Sequence, residues 1–67
     1  MNTAEKLVMM ANQIARNQMH EDDPALATAN HIRQFWDPRM KRLILSGNVT
    51  GLDPVAASAL RLLEDAQ

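Results

Sequence analysis

Apolar positions recur at helical spacing in four stretches of this chain, and a different set of polar residues interrupts each one. In the first stretch Leu7, Met10, Ala11 and Ile14 share one side of a helical wheel, while Lys6, Asn12, Gln13 and Arg16 fall mainly elsewhere. This predicts a helix over 3–19, opened by Asn2 with Glu5 at the spacing of a capping box. A polar loop, His20-Glu21-Asp22, follows. The second helix spans 24–36, with Leu26, Ala29, Ile32 and Trp36 in one stripe that Ala25, Thr28 and Phe35 broaden. The third spans 38–46, with Met40, Leu43 and Ile44 facing inward. Gly47 stands where a left-handed C-cap residue is wanted, and 48–51 read as a loop. The fourth begins at Pro54, carries Val55, Ala59, Leu62 and Leu63 on its apolar face, and frays near Ala66.

The helix starts have a common local cause. All three prolines follow aspartate, at Asp23-Pro24, Asp37-Pro38 and Asp53-Pro54. A residue before proline is pushed out of the α region. An N-cap residue also lies outside that region, and an aspartate there accepts a bond from a free backbone N–H. Proline suits the first helical position, where its missing N–H costs nothing. Nothing reads as a strand, because β-branched residues are sparse and do not alternate over a useful length. The stretches after the Asp-Pro pairs do not match one another, so there is no internal repeat. The expected fold is all-α, a small bundle of three to four short helices, with residues 1–67 as one domain. Helix two must end almost where helix three begins, so Phe35 and Trp36, the only aromatic rings besides histidine, are expected to plug that elbow from both sides.

Composition narrows the function more than the fold. With 67 residues and no cysteine, neither a disulfide nor a cysteine-based metal centre is open to the chain. A core of this size rarely contributes more than about 3–5 kcal/mol, which makes a stabilising partner expected. No basic-then-apolar leader and no apolar run of membrane-spanning length is present, so the chain reads as soluble and intracellular with no membrane partner. The formal net charge of −1 argues against a general nucleic-acid binder. Charge is nevertheless uneven. Arg33, Arg39, Lys41 and Arg42 crowd one span, while acids gather at 21–23 and at 64–65.

Candidate chemistry is thin. His20 with Glu21, Asp22 and Asp23 offers metal donors in one loop, but there is no His pair at i, i+4 to complete a set, and a solvated acidic turn is the simpler reading. Ser46 and Ser58 have no base spaced to activate them, and with only two glycines there is no phosphate loop. No catalytic, cofactor-binding or metal residue is expected. The remaining feature is a mixed patch of His31, Arg33, Phe35, Trp36, Arg39, Met40 and Arg42. Aromatic, Met and Arg side chains are enriched at protein interfaces, Trp and Arg most of all at their hot spots. The patch is therefore read as a partner interface whose inner part is core and whose rim is offered outward. Two other readings stay open at this point. One is a self-associating helical module; the other is a nucleic-acid binder using the four basic side chains.

Three blocks, "EKLVMMANQIARN", "HIRQFWDPRMKRLIL" and "GLDPVAASALRLL", resemble the small delta subunit of the cytoplasmic, NAD-dependent, molybdenum-containing formate dehydrogenases. The likeness runs from about Glu5 to Leu63 and is strongest at Phe35-Trp36-Asp37-Pro38-Arg39-Met40, preceded by His31 and Arg33. Met10-Ala11-Asn12-Gln13-Ile14 and Gly51-Leu52-Asp53-Pro54 carry the other two blocks. The chain departs from the pattern at Asn30, where an acid is usual, and at Val55-Ala56, where a larger apolar residue is. The resemblance implies a non-catalytic accessory subunit that holds no redox centre and needs no cofactor of its own. Its implied partner is the large subunit that carries the molybdenum bis-guanine-dinucleotide cofactor and iron–sulfur clusters, and its implied role is assembly or maturation of the active complex.

Overall fold

The structure, a computed structural model, describes residues 3–46 and 49–65. Among these there are four α-helices and no strand: α1 (Thr3–Asn17), α2 (Pro24–Phe35), α3 (Pro38–Ser46) and α4 (Pro54–Asp65). α3 and the starts of α2 and α4 fall where the sequence puts them. α1 ends two residues earlier than expected, and α2 one residue earlier. The expected Asn2 cap, the Gly47 C-cap, Asn48 and the fraying at Ala66 lie outside the described residues.

Two of the three aspartate caps form as expected. Asp23 Oδ1 accepts the Leu26 N–H at 3.2 Å, and Asp37 Oδ1 accepts the Met40 N–H at 2.8 Å. Asp53 behaves differently. Its carbonyl accepts the Ala57 N–H at 2.8 Å, as the first acceptor of α4, but its carboxylate caps nothing. Its own N–H instead donates to Asn12 Oδ1 at 2.8 Å, while Asn12 Nδ2 donates to the Gly51 carbonyl at 2.8 Å. A carbonyl can only accept and an N–H only donate, so these two partners also fix which way the Asn12 amide points. Asn12 thereby ties α1 to the loop that launches α4, across about 40 residues of sequence. Gly51 sits at φ 87°, a left-handed conformation in which a side chain is strained. Asn12→Ala would leave the part-buried Asp53 N–H without its partner. The expected cost is about 1–3 kcal/mol, readable as an earlier urea midpoint followed by the fluorescence of Trp36, the chain's single tryptophan.

α2 packs most extensively on α4, α1 lies against all three other helices, and α3 rests chiefly on α1. Ala11, Ala15, Ala29, Ala56 and Ala59 are buried almost completely, and such small side chains let helix backbones approach closely. Leu7, Ile32, Trp36, Ile44, Leu60 and Leu63 fill the space between them. Thr28 is also fully buried, and its hydroxyl satisfies itself by donating to the Pro24 carbonyl one turn back at 2.8 Å.

The buried faces differ from the expected stripes in a consistent way. On α1 the buried set is Leu7, Val8, Ala11 and Ala15, turned by roughly 65° from the stripe read off the sequence. Met10, expected inside, is 43% exposed and Ile14 is half-buried. The cause is the 49–53 loop. Asn12 bonds it and Val8 lies against Gly51, which rotates that side of α1 inward. On α4 the buried set is Ala56, Ala59, Leu60 and Leu63, which leaves Leu62 exposed and Val55 only half-buried. Leu26 on α2 and Leu43 on α3 are likewise exposed rather than inward.

Candidate partner-binding groove

The α2–α3 elbow takes only two residues. Trp36 N–H donates to the Ile32 carbonyl at 2.9 Å, closing α2, and its backbone then turns extended at φ −89°, ψ 139°. Asp37 immediately caps α3. This abrupt change of backbone direction separates the paired rings. Trp36 is 5% exposed and belongs to the core, whereas Phe35 is 70% exposed. The expectation that both rings plug the corner therefore holds for Trp36 alone. The Phe35 ring lies outside the core against His31, with ring centroids 4.7 Å apart and planes tilted by 41°.

Around that ring three elements form a shallow, mainly apolar groove of about 390 Å³. α1 contributes Met10, Gln13 and Ile14, the end of α2 and the elbow contribute His31, Phe35 and Trp36, and α3 contributes Met40. Four of the seven patch residues predicted from sequence thus share one surface. The other three do not line it. Arg33 points its guanidinium at Asn30 Oδ1, 3.1 Å away on the exposed side of α2. Arg39 is exposed on α3 beside Met40. Arg42 lines a second concavity, of about 460 Å³, with Pro38, Lys41, Leu45 and Ser46. Sequence periodicity does not bring in the α1 residues, because it places Met10 and Ile14 in the core. The adjacent Met9 and Met10 are more apolar surface than one helix face can bury, and this excess was the available signal.

Elsewhere the structure offers little for chemistry. His20 Nε2 lies 3.0 Å from a Glu21 carboxylate oxygen on the open loop. Among the described residues no three His, Asp or Glu side chains gather as a metal site. Ser46 and Ser58 are exposed, and no helix among the described residues is long and apolar enough to cross a membrane.

A comparison with family models matches residues 6–60 to the NADH-dependent formate dehydrogenase delta subunit, FdsD. The chain belongs to this family. Neither the curated proteins nor the solved structures contain a match. The matched span of this delta subunit takes in the whole groove, the elbow and the Asn12 tie to Gly51 and Asp53. It stops within α4, before Leu62 and the acidic pair at 64–65.

Proposed function

We propose that this delta subunit is a non-catalytic accessory chain of the cytoplasm that binds the large, molybdenum-containing subunit of formate dehydrogenase and supports assembly or maturation of the active complex. The family match over residues 6–60 carries the reading. Its support within the molecule is the pairing of a small core with an exposed groove. The fold spends Trp36 internally and leaves Phe35, Met10 and part of Met40 outside. Large aromatic and Met side chains kept at a surface suit a partner that completes their burial.

The test is genetic and biochemical together. Tagged delta subunit should retrieve the large subunit from its native cell. Cells lacking it should oxidise formate more slowly although the catalytic chain is still made, and the wild-type delta gene should restore the rate. A large subunit prepared without the delta chain yet fully loaded with cofactor and fully active would remove the maturation role. Arg39→Ala and Arg42→Ala test the basic rim. Both side chains are exposed, so each variant should keep its stability within about 0.5 kcal/mol and associate with the complex more slowly, since rim charges act mainly on encounter rates. Unaltered association by both variants would place the interface away from α3.

A further inference from the structure

α3 carries its charges against the electrostatics of its own helix. Arg39 and Lys41 stand within its first four positions, at the positive end, where anions are the stabilising neighbours. Arg39 and Arg42 are three residues apart, a like-charged spacing that weakens a helix. None of the three cations makes an ion pair among the described residues. Asp37 at the foot of the helix holds the Met40 N–H, and the next acid along the chain is Asp53. With Arg33, the span 33–46 has four cations to one carboxylate, although the whole chain stands at −1. Lys41 and Arg42 line the second concavity, of about 460 Å³, beside Pro38, Leu45 and Ser46, and no acid among the described residues joins them. This side of α3 is roughly 170° around the helix from Met40, so it is turned away from the Phe35 groove. Lys41 is half-buried there and Arg42 exposed. Neither helix stability nor a neighbouring carboxylate accounts for the two cations.

We propose that this concavity takes an acidic segment of the large formate dehydrogenase subunit, with carboxylates on Lys41 and Arg42 and an apolar side chain over Pro38 and Leu45. The inference rests on the accessory-subunit reading and adds the chemistry of the contacted segment. Charge complementarity selects the occupant, because both charged side chains of the lining are cations and neither has a carboxylate of its own chain. The Arg42 guanidinium can hold a carboxylate through two parallel N–H bonds, and the Lys41 ammonium adds a point charge beside it. The Ser46 hydroxyl is a further donor in the same lining. A polynucleotide fits less well. Seven of the eight acids lie outside 33–46 and would repel its backbone, and the lining offers no ring on which a base could stack. Two delta chains related by a two-fold axis through α3 would set these cations against their own copies, which opposes pairing through this face.

Carbodiimide coupling in the assembled complex tests this directly, since it joins an amine to a carboxylate only where the two touch. Lys6 and Lys41 are the only lysines, so a full-length Lys6→Arg chain leaves Lys41 as the single side-chain amine. The complex is coupled and the linked peptides sequenced. The expected product joins Lys41 to an Asp or Glu of the large subunit. A link to a second delta chain, a link to Asp37 of the same chain alone, or a complex that gives no product at Lys41 would overturn the proposal. Failure of the wild-type chain to form any complex is a separate result and removes the accessory-subunit reading itself. Charge variants supply the second arm. A Lys41→Glu, Arg42→Glu chain should bind the complex roughly tenfold or more weakly at low ionic strength, and the difference should shrink as salt is added. A Lys41→Gln, Arg42→Gln chain should also bind more weakly yet melt within about 4 °C of the wild type. Equal affinity of the reversed and wild-type chains at low salt would sink the proposal. A large fall in the melting temperature of the Gln variant would assign the two cations to the fold and sink it as well.

Discussion

Replacing Trp36 with alanine is expected to leave the chain largely unfolded at room temperature. The indole is 5% exposed, sits in the main core and occupies the one residue between the end of α2 and the cap of α3. Removing a buried aromatic of this size costs about 3–5 kcal/mol through lost burial and the cavity left behind. A domain of this length seldom has more than that from its core. The loss is expected to be structural first. α3 carries a single buried side chain, Ile44, and leans on α1, so an elbow without its filler loses most of what orients that helix. Far-UV circular dichroism against temperature checks the result without needing the deleted fluorophore. Trp36→Phe serves as the companion variant, since a smaller ring keeps part of the burial and should melt between the two. A Trp36→Ala chain that melts with the wild type would show that the elbow is held by something other than this ring.

Phe35→Ala should do the reverse, one residue away. The ring is 70% exposed and stacks at a tilt on His31, so the isolated chain should lose less than about 1.5 kcal/mol. In the complex the same substitution is expected to cost about 2 kcal/mol or more, a roughly 30-fold weaker dissociation constant, which is the scale of an aromatic hot spot. Calorimetric titration of the delta chain into partner lacking it measures the affinity, and a urea titration of the same sample confirms that folding is intact. Affinity that survives Phe35→Ala would mean that the exposed ring faces solvent in the complex and that the partner grips another surface. The contrast between positions 35 and 36 is the sharper reading. Neighbouring aromatics that fail in different assays assign one to the core and the other to the interface.

The sequence by itself determined the helical class, the element order and the helix starts. An aspartate cap followed by proline acts within four residues, and α2 and α3 begin on caps of that kind. The near absence of a loop at the elbow follows from the same local chemistry. The family was also legible, because its blocks run through the matched span. Which face of each helix is buried was decided only in three dimensions. The chain has more apolar positions than its small core can enclose, so periodicity marks a broad stripe without fixing its centre. The centre on α1 is set by Asn12, whose partners lie 39 and 41 residues away in the loop before α4. That rotation turns Val8 and Ala15 inward and Met10 outward, and so creates one wall of the groove. The fates of Phe35 and Trp36 divided for a similar reason. Their adjacency was plain in the sequence, but the extended backbone at the end of α2 directs one ring into the core and leaves the other at the surface.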